Sequence, residues 1–193
     1  MQNNLIKEFF DNKAEFWDSF EKKDNKFFND FVRENIAINK NDTILDLACG
    51  TGVITNVLAS YTINDVIGID ISENMIKKAN EKEKSANVKF VNIDFYDLEG
   101  LKFDLIVCHN AYPHFLDKEK FKNKCFNLLS KNGRLIICHS ISRNEVNKCH
   151  NDKTNISVSL NEVTEEFKVF EDKFSLIRLY EDENIYFLEV RKN

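Results

Sequence analysis

From Thr43 onward, short apolar runs alternate with amphipathic stretches. Continuous apolar runs of four to eight residues, rich in β-branched side chains, read as buried strands, and apolar residues spaced three and four apart read as helices. This rule predicts strands at 43–47, 66–70, 88–92, 103–108, 134–139, 174–180 and 185–191. It predicts helices at 52–60, 73–84, 117–130, 142–150 and 160–170. Residues 3–38 read as helical, with one stripe of Leu5, Ile6, Phe9 and Phe10 and another of Phe27, Phe28, Phe31, Val32 and Ile36. Strands alternating with helices imply an α/β fold whose parallel sheet is covered on both faces. Only Glu181-Asp-Glu-Asn184 separates the last two strands, so they form an antiparallel hairpin.

Composition narrows the picture. A chain of 193 residues, 42% hydrophobic with 17 Phe, suits one domain with a sizeable core. No apolar run approaches the ~18 residues of a membrane span, and the first residues are polar rather than leader-like, so a cytoplasmic protein without a membrane partner is expected. The net charge of −5 argues against nucleic acid. Lysines 77, 78, 82, 84, 118, 120, 122 and 124 alternate with Glu, Asp and Asn and read as solvated surface. Five cysteines without a Cys-x-x-Cys spacing fit free thiols in a reducing compartment.

The run Ile44-Leu-Asp46-Leu-Ala48-Cys49-Gly50-Thr-Gly52 is the strongest chemical signal. A strand that turns through small residues into a helix offers backbone N–H groups to a ligand at close range. The next apolar run ends in Asp70, 18 residues past Gly52, where Rossmann-like folds place a carboxylate on ribose hydroxyls. Thr55 replaces the third glycine of the dinucleotide fingerprint. Asp-x-Ala-Cys-Gly-Thr-Gly followed by Gly-Ile-Asp resembles class I S-adenosylmethionine-dependent methyltransferases, and the resemblance runs from about Phe9 to Arg191. It implies a Rossmann-like, seven-stranded, mostly parallel sheet in a single domain (1–193), with residues 1–40 as a helical lid over the cofactor.

The resemblance also assigns residues to S-adenosyl-L-methionine. Asp46, Ala48, Cys49, Gly50 and Gly52 form the loop for its methionine and ribose, and Asp70 clamps the ribose with Ile71 and Met75 beside it. Asp94 and Phe95 meet the adenine, and His109 and Asn110 meet the amino-acid end. Phe10, Phe16 and Trp17 are lid residues. Lys131-Asn-Gly-Arg-Leu135 matches the turn into the fifth strand.

All four histidines fall at or after the ends of strands four and five, where open α/β sheets bind ligands: His109, His114, His139 and His150. Two readings stand. In one, they are pocket walls, with His114 and His139 as general bases. In the other, His114, His139 and His150 hold a divalent transition metal with an open coordination position. Ser142-Arg-Asn-Glu145 fits a capping box that starts a helix, and His150 then lies ~12 Å along it. The metal reading therefore requires that helix to cross the pocket mouth. If the histidines face the pocket, Cys108 and Cys138 face the core, because neighbouring strand residues point to opposite faces. The Asn/Asp-Pro-Pro-Tyr motif is absent, and the single Pro, Pro113, precedes His rather than Cys. The expected partner is therefore a small-molecule methyl acceptor with an O, S or C nucleophile. A non-catalytic cofactor- or metal-binding sensor on the same fold is the alternative.

Overall fold

The computed structural model describes residues 2–20, 25–82, 85–151 and 155–193. They form two compact units, essentially 3–98 and 99–193.

The first unit opens with α1 (Gln2–Asp11), a 3-10 turn (Ala14–Phe16), α2 (Trp17–Phe20) and α3 (Asn25–Asn35). It continues through β1 (Ile44–Leu47), α4 (Val53–Ala59), β2 (Val66–Asp70), α5 (Glu73–Lys82) and β3 (Val88–Asn92). The stripe on α3 buries Phe28, Phe31 and Val32, with Ile36 just beyond its end. β1 and β2 are buried on both faces, as strands covered by helices must be. They pair in parallel, Ile44 opposite Val66, and β2 pairs in parallel with β3, Val66 opposite Val88.

The second unit contains β4 (Phe103–His109), a 3-10 turn (Tyr112–His114), α6 (Lys118–Leu128), β5 (Leu129–His139) and α7 (Arg143–His150). It closes with α8 (Val163–Phe167), β6 (Phe174–Glu181) and β7 (Tyr186–Lys192). β4 and β5 are parallel, whereas β7 runs antiparallel to both β5 and β6. The strand order is β3-β2-β1-β4-β5-β7-β6, the Rossmann-like mixed sheet expected, and the hairpin joins β6 to β7.

Most elements end within a residue or two of expectation, and two departures have local causes. β5 begins at Leu129 rather than 134, because Lys131–Gly133 are absorbed into the strand as an irregularity. There the pairing slips from Phe103–Leu129 to Leu105–Arg134, and Asn132 takes φ +62°. The helix expected over 160–170 shrinks to Val163–Phe167. Asn147 holds the Leu160 backbone at both its N–H and its C=O, and after Phe167 the bonds tighten to i→i+3 turns. Of the helix expected over 73–84, residues 83–84 lie outside the described residues. Lys122 is a correction: it is 3% exposed, not solvated, and its ammonium pairs with Glu119 and Asp172 at 2.8 Å each.

Candidate functional site

In the first unit the loop between β1 and α4 holds three residues in the left-handed region: Ala48 (φ +59°), Gly50 (+54°) and Gly52 (+81°). A side chain on Gly52 would be doubly penalised. Its Cβ would sit 2.4 Å from Cζ of Phe90, and the backbone is one L residues avoid. A Cβ on Gly68 of β2 would lie 2.7 Å from the same ring. Small residues therefore let the loop close onto β2, where the Cys49 N–H donates to the Ile69 carbonyl at 2.9 Å.

Two carboxylates brace this turn. Asp46 is buried and accepts from the Thr55 hydroxyl at 2.6 Å, tying the end of β1 to the first turns of α4. Asp70, also buried, accepts from the Gly50 N–H (2.9 Å) on one oxygen and from the Ser72 N–H (2.8 Å) on the other. Burial dominates these hydrogen bonds, and its pKa is pushed up to about 6. The Cys49 thiol is raised well above its ordinary value by burial and by the Asp46 and Asp70 charges, so it is a filler rather than a nucleophile.

The N-terminal helices are fastened to this loop by side-chain hydrogen bonds. Asp18 accepts from the Thr51 hydroxyl (2.6 Å) and from Lys82 (2.7 Å). Asp11 accepts from the Ser72 hydroxyl (2.6 Å) and the Asn74 N–H (3.1 Å). Phe10 packs edge-on against Trp17 at 5.5 Å, and the indole Nε1 would lie 3.5 Å from a Cβ on Gly50. Phe16, in contrast, is 63% exposed. Asp94 accepts from the Tyr96 N–H on one oxygen and from the Asn3 amide on the other. Met75 and Phe95 are buried, and Ile71 is half-buried.

In the second unit, β4 ends at His109 and β5 at His139. Cys108 and Cys138 are fully buried, and His109 and His139 are buried at 9% and 2% exposure. Asn110 (φ +53°) staples the two strand ends together. Its N–H donates to the Cys138 carbonyl (2.9 Å), and its side chain accepts from the Ser140 N–H (3.0 Å). Its amide also donates to the Ser140 hydroxyl at 3.2 Å.

His114 and His150 meet. Nδ1 of His114 lies 2.9 Å from the Ile156 carbonyl oxygen, and Nδ1 of His150 lies 2.6 Å from that of Val146. A carbonyl only accepts, so both Nδ1 atoms donate, and the Nε2 atoms lie on the opposite side of each ring. Those Nε2 atoms face each other at 3.4 Å. The capping box at Ser142 forms as expected and starts the helix that delivers His150 to His114. The expected third member stands apart. Among the described residues, no group of three or more His, Cys, Asp and Glu side chains is arranged to hold a metal. His139 ends β5 opposite Tyr186 of β7, their rings 6.0 Å apart, and its position is fixed by the sheet. Burial first, and then the neighbouring His109, His150, His114 and Lys118, hold its pKa well below the ordinary histidine value, so it is neutral at pH 7.

Sequence reasoning missed a buried polar group around Tyr112. Glu166 is fully buried, accepting from the Tyr112 hydroxyl at 2.6 Å and the Asn161 amide at 3.1 Å. Lys118 lies 3.4 Å from the centroid of the Tyr112 ring and donates to the Tyr112 carbonyl at 2.7 Å. Burial lowers its pKa to about 8. Nε2 of His139 and the Tyr186 hydroxyl are buried without a hydrogen-bond partner among the described residues. Orphaned buried polar atoms mark a place where water or a ligand completes the network.

Comparisons with known proteins agree with this geometry. A model of a family described as a methyltransferase domain matches residues 38–183. An uncharacterised methyltransferase of Schizosaccharomyces pombe is 37% identical over 111 residues, covering 51% of this chain and 39% of that protein. The chain thus spans about two fifths of that relative's length. Among solved structures, one chain of the complex between the Haloferax volcanii Trm112 methyltransferase activator and its methyltransferase superposes with a TM-score of 0.81 at 14% identity, over 95% of this chain and 97% of that one. Magnesium protoporphyrin IX methyltransferase of Synechocystis PCC 6803, with bound SAH, superposes with a TM-score of 0.75 at 18% identity over the whole of both chains. At such identities the likeness is one of fold. Among the described residues no helix is long and apolar enough to cross a membrane.

Proposed function

Because the chain belongs to the methyltransferase-domain family over residues 38–183, we propose that it transfers the methyl group of S-adenosyl-L-methionine to a small molecule. The observation that carries this reading is the Ala48–Gly52 turn, held in left-handed conformations and braced by the Asp70 carboxylate through the Gly50 N–H. Those residues fit the cofactor, since they combine a backbone that a ligand can approach with a buried carboxylate for ribose hydroxyls.

In this reading Asp46, Ala48, Cys49, Gly50 and Gly52 line the loop, and Asp70, with Ile71 and Met75, holds the ribose side. Asp94 and Phe95 receive the adenine, while Phe10 and Trp17 cover the loop. His109 and Asn110 are assigned to the amino-acid end. The bound cofactor supplies a methyl carbon already activated by its sulfonium sulfur. What remains for the protein is to orient the acceptor and take its proton. His114 is the better base, because it is only half-buried and its ring is oriented by the Ile156 carbonyl. His139, held neutral, suits orientation of the acceptor through a hydrogen bond. With the cofactor bound, His114 would take the O–H or S–H proton of an acceptor whose lone pair receives the methyl group from the sulfonium. The acidic net charge favours a small acceptor over nucleic acid.

The test is formation of S-adenosylhomocysteine by tag-free protein given cofactor and a size-fractionated metabolite extract. Product formed from the low-molecular-weight fraction, and lost in Asp70→Asn, is the expected result. Turnover only with the macromolecular fraction would overturn the small-molecule assignment.

A further inference from the structure

We infer that Asn3 is a positioning residue for adenine recognition: its side-chain amide orients the Asp94 carboxylate, so the docking of α1 and the reading of the adenine 6-amino group depend on one contact. This role rests on the assignment of Asp94 to the adenine made above.

Asp94 stands where the chain leaves β3, and it caps a 3-10 turn (Phe95–Asp97). One carboxylate oxygen accepts from the Tyr96 N–H at 3.0 Å, a bond set by the local backbone. That bond alone leaves the carboxylate plane free to swing, because the terminal torsion of Asp is broad. The other oxygen accepts from the Asn3 amide, 91 residues away in the chain. Two donors on two oxygens fix the plane. Each oxygen still keeps a lone pair for a further donor. The exocyclic amine of adenine is such a donor, and it would meet an acceptor whose direction is already set. A group held in its binding geometry loses less freedom when the ligand arrives. A purine carrying a carbonyl at that position would instead set one acceptor against another.

The helix that carries Asn3 is held independently of Asp94. At its far end Asp11 accepts from the Ser72 hydroxyl (2.6 Å) and the Asn74 N–H (3.1 Å), just past Asp70. Lys7 pairs with Asp11 at 2.6 Å. Asn3 and Asp11 lie about 12 Å apart along α1, so the helix reaches from the end of β3 to the end of β2. Those two strand ends are tied to each other. The Asp70 carbonyl accepts from the Asn92 amide at 3.0 Å and from the Ile93 N–H at 3.1 Å. The adenine and ribose carboxylates thus share one frame, and α1 is fastened across it.

The test compares, by calorimetry, binding of S-adenosylhomocysteine and of its inosine analogue, in which an oxo group replaces the 6-amino group. The wild-type protein should prefer the adenine form at least about tenfold. Asn3→Leu removes the donor and keeps the bulk, and should shrink that preference to about threefold or less. Asn3→Gln keeps a donor and should retain more of it. A helix that merely covers the ligand would weaken both forms alike, so an unchanged ratio in Asn3→Leu overturns the positioning role. The ratio is internal to each variant, and a general loss of stability cannot imitate its collapse. Asp94→Asn separates the two claims. It should erase or reverse the preference, because its NH2 group can donate to the oxo group. A wild-type protein without a preference, or one whose preference survives Asp94→Asn, would remove Asp94 from the adenine and the role of Asn3 with it.

Discussion

The cofactor loop of the first unit and the histidine cluster of the second solve opposite problems. Around Ala48–Gly52 the chemistry is carried by backbone shape, and each carboxylate is already engaged: Asp46 by Thr55, Asp70 by Gly50 and Ser72. Around His139 the chemistry is carried by side chains, and buried polar atoms are left incomplete. The first region is specified by what small residues permit. The second is specified by which distant elements meet. A site of the first kind breaks when a methyl group is added, and one of the second kind when a partner is removed.

The largest effect should therefore come from Gly52→Ala. The left-handed conformation and the 2.4 Å clash with Phe90 together predict a loss of about 3 kcal/mol of stability and of cofactor binding, read by thermal melting and calorimetry. An unchanged melt would show that the loop is softer than its dihedrals imply. In the second unit, Glu166→Ala should cost about 2–3 kcal/mol, because the Tyr112 hydroxyl and the Asn161 amide lose their buried acceptor. Chemical denaturation measures it, and Glu166→Gln should recover part of the loss.

Asp70→Asn sharpens the contrast, since it keeps the shape and changes only what the carboxylate accepts. One of its two N–H donors then meets an amide NH2, and cofactor affinity should fall about tenfold or more. A pH series makes the same point without mutation. The folded pKa of about 6 lies above the ordinary 3.8, so the folded state holds this proton where the unfolded chain has lost it. The group's contribution to stability is then fully present below about pH 4 and lost as pH rises through about 6. Cofactor affinity, which needs the carboxylate, should run the other way and weaken as pH falls through about 6. A flat affinity profile from pH 5 to 8 would remove Asp70 from the ribose clamp. The smallest effect is Phe16→Ser. At 63% exposure it should shift stability by less than about 0.5 kcal/mol, and any larger drop in cofactor affinity would show the ring closing over bound ligand.

The same contrast explains what could be read from the chain. The loop was legible because its parts are contiguous from Asp46 to Gly52 and Asp70 follows at a fixed spacing on the next strand. The sheet was legible because each buried strand is a continuous apolar run. The meeting of His150 with His114 was legible only as one of two readings, since it depends on the Asn147–Leu160 clamp and on a 3-10 turn that no periodicity encodes. Glu166 sits in a Glu165-Glu166 doublet that reads as a solvated helix face, and only Tyr112 and Asn161 explain its burial. Lys122 was misread for the same reason, as its carboxylate partner Asp172 lies 50 residues away.

The strand order carries a consequence for how the sheet is assembled. β7 lies between β5 and β6, yet β6 precedes it in the chain and, among the described residues, pairs with no other strand. During synthesis β6 must wait for a strand made after it. Once made, β7 pairs with β6 as a local hairpin, but until β7 also docks on β5, across a closure that joins His139 to Tyr186, that hairpin has no sheet to protect it. Pairing over such sequence separation is slow. The interval between making β6 and seating β7 is thus when this chain is most open to capture by another strand.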